Sequence, residues 1–321
     1  MKKVAIVVPT NRPERMRDFL AAWAQPLRWQ RIYVVEDGPA KSFEVPSDVT
    51  HVSWAEIDAD LGKDSWVIPR RTDAVRNYGF LLAAREHPEF IVTLDDDCLP
   101  ESMDFIEQHR DALRHPGSGL PVYDTMTSSP LALRPRGLPS GPDVEVKVNM
   151  GLWNGVPDLD GRTQIRTGTV LGFFPDHSVQ VPAGVLFPMS GMNLAFRPEV
   201  LPLLYFLPMG ESQPYHRFGD IWCGWLMKKV CDRLGWGVRV GRPFVYHCRA
   251  SEARRNAELE ESGLGMNDGV WIAIHEAVLS FPEAPAFCLE VLYGSILDRI
   301  GGEYWKRCVE AHRIWNRLCS L

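Results

Sequence analysis

No apolar run in this 321-residue chain reaches the roughly 18 residues of a membrane span. Basic excess is missing as well. Lys and Arg number 35 against 41 Asp and Glu, a formal charge of −6. Bulk charge therefore draws the chain to neither nucleic acid nor an anionic membrane, and only a local basic pocket is left open. The seven cysteines (Cys98, Cys223, Cys231, Cys248, Cys288, Cys308 and Cys319) are odd in number, irregularly spaced and never form C-x-x-C. That excludes a disulfide scaffold and a zinc ribbon and points to a reducing compartment. Internal repeats and low-complexity tracts are absent too. What is present is an ordinary globular balance, 45% hydrophobic and 24% charged, so intrinsic disorder is excluded. The length predicts about two domains, or one large α/β domain with an extension. The opening MKKVAIVVPTNRPER mimics a signal peptide. Its apolar part is short and runs into Asn11-Arg12-Pro13-Glu14-Arg15, so it reads as a first buried strand and the protein as soluble and cytoplasmic.

Val4 to Val8 is a β-branched run suited to a strand buried on both faces. Pro13 to Trp23 has helical spacing, with Met16, Phe19, Leu20 and Trp23 on one side. Arg31 to Val35 predicts a second strand, closed by Glu36-Asp37-Gly38, and Thr50 to Ile57 a third. Thr72 to Arg85 predicts a helix, and Phe90 to Leu94 a strand that ends in Asp95-Asp96-Asp97. Alternating strands and helices imply a mostly parallel sheet with right-handed crossovers. His115 to Asp143 is dense in Pro, Gly and Ser without a period, which predicts a functional lid or a disordered segment. Trp222 to Leu234 reads as a helix and Val238 to His247 as a strand. From Val270 onward the spacing is helical, with Trp271, Trp305 and Trp315. This tail is expected to pack on the sheet or, through tryptophans that look exposed, on another subunit.

Three carboxylates at the end of an apolar strand repel one another, and a divalent cation is the natural counterweight. Strand alternation would send Asp95 and Asp97 to one side. Hard oxygen ligands suit Mg²⁺ or Mn²⁺, which bridge to a diphosphate. A solvated acidic turn would read the same way in isolation, but ligand sites of open α/β sheets lie at the strands' carboxyl ends. Other strand ends add Pro9-Thr10-Asn11-Arg12 and Glu36-Asp37-Gly38. Asp37 suits a base N–H or a ribose hydroxyl, or is a plain turn residue. Arg76 faces either the acidic cluster or a phosphate, unless it is an ordinary surface arginine. Asp220 caps a helix, serves as a general base or stabilises a sugar cation. His247 ends an apolar strand as a structural histidine or as a nitrogen ligand that Mn²⁺ tolerates.

Taken together, IVVPTNR, VVEDG, AVRNYG and VTLDDD resemble, in order, the nucleotide-sugar enzymes of the GT-A glycosyltransferase fold. Longer segments narrow the match: LDDDC (94–98), GLWNGVPDLDG (151–161), LFPMSGMNLAF (186–196), GDIWCGWLMKKVCDRLGWGV (219–238) and VYHCRAS (245–251). These resemble the reversibly glycosylated polypeptide family, whose plant members include UDP-arabinopyranose mutases. The resemblance covers about residues 4–255. It implies an α/β, GT-A, Rossmann-like and mostly parallel sheet with helices on both faces, as a catalytic domain 1–255 with a lid-like loop 115–145 and a C-terminal helical extension 256–321. It also implies a Mn²⁺ (or Mg²⁺) site on Asp95, Asp97 and His247. Pro9, Thr10, Asn11, Asp37, Arg76 and Asp96 would serve the nucleotide, a UDP-sugar. Gly191, Met192, Asn193, Arg217, Trp222 and Trp225 would line the sugar or an unidentified acceptor, with Asp220 catalytic.

Two departures from the family pattern stand out. Gly219 occupies the place of a second acid. The loop before GLW, where the family carries a self-glycosylated arginine, holds Arg134 and Arg136 at altered spacing; Arg136 is the one taken here as catalytic. These departures favour glycosyl transfer over a pyranose–furanose mutase. A non-catalytic partner subunit is the third reading, and association into a homo-oligomer is expected.

Overall fold

Both faces of the first strand are buried. Val4, Ile6 and Val8 join one apolar cluster and Ala5 and Val7 the other, so period-two alternation leaves no polar position. A computed structural model describes residues 3–115, 117–118, 136–137, 143–168, 172, 178–210, 212–248, 252–280 and 284–320. In chain order the first half comprises β1 (Ala5–Thr10), α1 (Pro13–Trp23), β2 (Arg31–Glu36), β3 (Val49–Val52), α2 (Trp54–Leu61), α3 (Arg76–Arg85), β4 (Ile91–Leu94), β5 (Cys98–Pro100) and α4 (Phe105–Arg114). The second comprises β6 (Gly117–Ser118), β7 (Asp143–Gly155), α5 (Gly161–Thr167), β8 (Val179–Gln180), β9 (Asn193–Phe196), α6 (Gly219–Leu234), β10 (Trp236–His247), α7 (Ala253–Glu276), α8 (Pro285–Arg299) and α9 (Glu303–Cys319).

The main sheet runs β3-β2-β1-β4-β9-β7-β10-β5. It is parallel across β3, β2, β1 and β4 and again between β7 and β10, with β9 antiparallel between the two parallel parts. The expected α/β class with a C-terminal helical region is the one observed. The chain leaves β1 toward β2 and β3, then returns to lay β4 on the other side of β1. In open sheets a reversal of this kind puts ligands at the carboxyl ends of the strands on either side of it, here β1 and β4. Met16, Phe19 and Trp23 of α1 and Phe105 of α4 cover one face; α3, α6, α8 and α9 contribute to the core on the other.

The motif A-V-R-N-Y-G has a packing reason. Asn77 clamps the Phe206 backbone, donating from Nδ2 to its carbonyl at 2.9 Å and accepting its N–H at 3.1 Å. A Cβ on Gly79 would lie 2.5 Å from Val7 and 2.8 Å from Val35, so only glycine lets α3 approach the sheet this closely.

Three expectations are corrected. The third strand stops at Val52, because Ser53 and Glu56 form a capping box that starts α2 instead. The helix expected from Thr72 begins as a 3-10 turn, Asp73–Val75, and turns α-helical at Arg76. Of the tail's tryptophans, Trp305 and Trp315 are buried and only Trp271 is exposed. Trp315 donates its indole N–H to Leu201 O at 2.9 Å, so this residue anchors the tail to its own chain rather than to a partner. Most of the expected lid, 115–145, lies outside the described residues. No described helix is long and apolar enough to cross a membrane.

Candidate active site

The carboxyl end of β1 meets the acidic turn after β4. Thr10 donates its hydroxyl to Asp96 Oδ2 at 2.6 Å, and the Arg12 N–H returns to Thr10 Oγ1 at 3.0 Å. Arg12 forks onto Asp96 and reaches Asp97 Oδ2 at 3.3 Å. Pro9 is buried beneath them and Asn11 is exposed at the mouth. Asp96 is almost wholly buried, and burial raises its carboxyl above the ordinary value despite the bonds from Arg12 and Thr10.

Asp95 and Asp97 do not share a side. The strand ends at Leu94, and the chain turns, closed by Cys98 N–H to Asp95 O at 3.1 Å, so strand alternation no longer applies. Asp95 pairs with Arg76 at 2.5 Å. Asp97 faces His247 instead, with 3.8 Å between Oδ1 and Nε2. The two chain ends meet because β10 lies antiparallel to β5, with His247 in register with Cys98.

His247 Nδ1 lies 2.7 Å from Val156 O, a contact that only an Nδ1–H can make. That bond fixes the orientation of the ring and turns its Nε2 edge toward Asp97, the orientation a backbone carbonyl usually gives a ligating histidine. Among the described residues no three acidic, imidazole or thiol groups form a closed cage. Asp97 and His247 are the residues whose oxygen and nitrogen donors would fit Mg²⁺ or Mn²⁺ here.

Asp37 is already satisfied by protein. It accepts Trp54 Nε1 (2.8 Å) and Arg71 N–H (2.9 Å) on one oxygen and Thr72 N–H (2.8 Å) on the other. Burial raises its carboxyl even so. It pins the backbone where Arg71 adopts φ 57°, a left-handed conformation rare for a side-chain-bearing residue. Glu36 beside it is buried against Ser42 and against His51 at 2.9 Å.

On the far side lies Asp220, at the start of α6 and partly open to solvent. It accepts Ile221 N–H at 2.8 Å and Gly191 N–H at 3.3 Å. Burial first, then the neighbouring Asp73 and Asp158, push its carboxyl up to about 8, against the opposing pull of Ile221 N–H and Arg76. A carboxyl near that value carries or releases a proton at neutral pH. Gly191 is held from both ends, its carbonyl accepting Arg76 Nη1 at 2.5 Å. Met192 lies in the core. Asn193 is wholly buried in a network with His109 (3.0 Å), Pro243 O (2.9 Å) and Leu152 O (3.2 Å). Trp222 is fully buried, its indole N–H on Asn267 Oδ1 at 3.0 Å, and Trp225 is buried too. Arg217 is exposed and bonds Asn256 at 2.8 Å. Arg136 sits exposed in a turn, and Arg134 lies outside the described residues.

The structure thus gathers Thr10, Asp96, Asp97 and His247 on one side and Gly191 and Asp220 on the other, with Arg76 and Asp95 between. Arg12, Asp73 and Asp158 join them without having been singled out. Arg12 was visible at the first strand's end, and Asp158 within PDLDG; neither has a local signal that separates it from a surface charge.

The family model for the reversibly glycosylated polypeptide matches residues 1–286. UDP-arabinopyranose mutase 1 of Arabidopsis thaliana is 34% identical over 275 residues, covering 81% of this chain and 75% of its own. UDP-arabinopyranose mutase 1 of Oryza sativa subsp. japonica is 34% identical over 275 residues, covering 81% and 73%. Among solved structures, glucosyl-3-phosphoglycerate synthase from Mycobacterium tuberculosis, in complex with Mn²⁺, UDP and glucosyl-3-phosphoglycerate, aligns at a TM-score of 0.45 and 15% identity. That alignment covers 88% of this chain and 82% of that one.

Proposed function

Because the chain belongs to the reversibly glycosylated polypeptide family, we propose that it acts on a UDP-sugar. It breaks and re-forms the bond between the anomeric carbon and the diphosphate, and it interconverts the pyranose and furanose forms of the sugar. The observation that carries this reading is that the acidic turn after β4 and the acid of α6 are joined through one bonded link, Asp95 to Arg76 to Gly191 to Asp220. Asp97 and His247 are suited to a cation, and Asp220 is a carboxyl poised between its acid and base forms.

Asp97 and His247 would hold Mn²⁺ or Mg²⁺. The cation, when bound, neutralises charge building on the departing diphosphate. Arg12, half-buried beside Asp96 and Asp97, adds positive charge at the same strand ends, and Thr10 and Asp96 hold it in place. On the sugar side the ring exchange needs one proton moved. For a pentopyranose, O4 attacks C1, the C1–O5 bond breaks, and the proton lost from O4 reappears on O5. UDP then returns to C1, so atoms and charge balance. Asp220 can take that proton and give it back, as one carboxyl near neutrality is matched to both tasks. Gly219, beside it, does not hinder this. A Cβ there would lie 3.1 Å from Leu207 O, so a side chain at this position would press on that carbonyl.

Glycosyl transfer to an acceptor is the second reading, favoured by the same single acid acting as a base. A purified-protein assay with Mn²⁺ and UDP-arabinopyranose, followed by NMR and anion-exchange chromatography, separates them. A furanose UDP-sugar without net release of UDP is expected. Free UDP without a change of ring would replace the mutase reading by transfer or hydrolysis. Neither product, with no metal-dependent UDP binding, would leave a non-catalytic partner.

A further inference from the structure

Arg76 has little left to offer a substrate. A guanidinium carries five N–H donors in a fixed fork. Here Nε donates to Asp73 O at 2.9 Å. Nη1 donates to Thr93 Oγ1 at 2.8 Å and to Gly191 O at 2.5 Å, and Nη2 to Asp95 Oδ1 at 2.5 Å. The last N–H of Nη2 has the Asp73 carboxylate 3.9 Å away. The residue is 1% exposed, and its guanidinium lies 5.3 Å from the Phe206 ring. These partners come from the 3-10 turn before α3, from β4, from the acidic turn after it, and from the segment entering β9.

We propose that Arg76 is a positioning residue rather than a ligand of the diphosphate: it clamps Gly191 against Asp95 so that the Gly191 N–H is presented to the carboxyl of Asp220. The proposal rests on Asp220 being the proton-carrying group. Gly191 is where order has to be supplied from outside, because the peptides flanking a glycine turn most freely. Its carbonyl is tied to Arg76, its N–H reaches Asp220 at 3.3 Å, and the next carbonyl, Met192 O, accepts Asp95 N–H at 3.3 Å. A glycine is also required there. A Cβ would lie 2.7 Å from Arg76 Nη1 and 2.8 Å from Phe206. The clamp thus links the turn that carries the metal-side carboxylate to the acid on the sugar side. The charged and titratable groups around Asp220 are Asp73 from the 3-10 turn, Asp158 from the segment after β7, Arg76 from α3 and Cys223 one turn along α6. Arg76 is the cation of that set, so its loss acts on Asp220 by charge as well as by geometry.

The test reads Asp220 directly. The side-chain ¹³C signal of Asp220, assigned with Asp220→Asn, is titrated by NMR in the full chain, and UDP binding with Mn²⁺ is measured by calorimetry. In Arg76→Gln, Asp220 should titrate at clearly higher pH than in the wild type. In Arg76→Lys, which keeps the charge and loses the fork, the move should be smaller but in the same direction. UDP affinity should stay within about threefold in Arg76→Lys. Gly191→Ala leaves the guanidinium in place while pushing it off Gly191, so it should move the titration upward too. It keeps the proposal testable if the Arg76 variants do not fold. An unmoved titration overturns the proposal. So does a loss of UDP affinity of about tenfold in Arg76→Lys, the signature of a bidentate phosphate ligand. Undiminished turnover in Asp220→Asn would instead refute the proton-carrying role of Asp220, and the NMR titration would still decide on Arg76.

Discussion

Replacing Asp220 by asparagine should make the protein more stable at neutral pH while abolishing turnover. The folded state raises this carboxyl from its ordinary 3.8 to about 8, chiefly by burial and then by Asp73 and Asp158. A carboxyl raised on folding binds its proton more tightly in the native state. The stability it permits is therefore complete at low pH and is lost as pH climbs from about 4 through about 8. The whole interval corresponds to several kcal/mol at roughly 1.4 kcal/mol per pH unit. Asp220 keeps one face toward solvent, where screening reduces the figure, and about 2 kcal/mol is the expected size. An asparagine side chain would keep nearly the same shape and never ionise. Urea unfolding of both proteins from pH 4 to pH 9 is the assay. The curves should coincide near pH 4 and separate steadily, with the variant ahead by about 2 kcal/mol near pH 8. A variant that is equally destabilised at every pH would refute the reasoning. It would mean that the hydrogen bonds from Ile221 and Gly191, rather than the buried charge, decide the energy of this position.

Other outcomes follow from the same structure. Asp97→Asn or His247→Ala should weaken Mn²⁺-dependent UDP binding by about tenfold or more in calorimetry while leaving metal-free UDP binding nearly unchanged; equal Mn²⁺ dependence in variant and wild type would remove both as ligands. Trp315→Ala empties a fully buried indole site and orphans Leu201 O, so it should cost about 3–5 kcal/mol in urea unfolding. A single transition is expected, and an early separate one would show that α9 unfolds independently of the sheet. Burial lowers His109 to about 3 and His312 to about 4, so both charge on unfolding. Stability that is complete above about pH 6.5 should therefore fall as pH drops toward 4, by roughly 1 kcal/mol per pH unit for each histidine. His109→Asn should flatten that slope, and an unchanged slope would count against it.

The parts of the site that were legible in the sequence are those where one short segment carries both position and chemistry. LDDDC announces a strand end and its acids together, and VYHC does the same for His247. Thr10 and Asp96 both read as strand-end residues, and they touch because β1 pairs with β4. What misled was local geometry read too far. The alternation that would pair Asp95 with Asp97 holds only inside a strand, and the strand stops at Leu94. Trp222 looks like a sugar platform in GDIWCGW, yet it packs against Phe218 and Trp305 in the core. Asn193 looks like a ligand in SGMNLAF, yet its amide closes a buried network with His109. Polar and aromatic side chains serve packing and binding with the same chemistry, so the residue type does not separate the two uses.

By itself the sequence determined the α/β class, because alternation and helical spacing are written in consecutive residues. It also determined that acids would gather at the carboxyl ends of strands, because those ends are where each apolar run stops. Tertiary structure alone decided which of these groups meet. Arg76 and Gly191 are separated by 115 positions, and Asp97 and His247 come together through the pairing of β5 with β10. Such contacts depend on strand order and on where the chain reverses between β1 and β4. No local propensity encodes that order; it follows from burying both faces of the sheet at once.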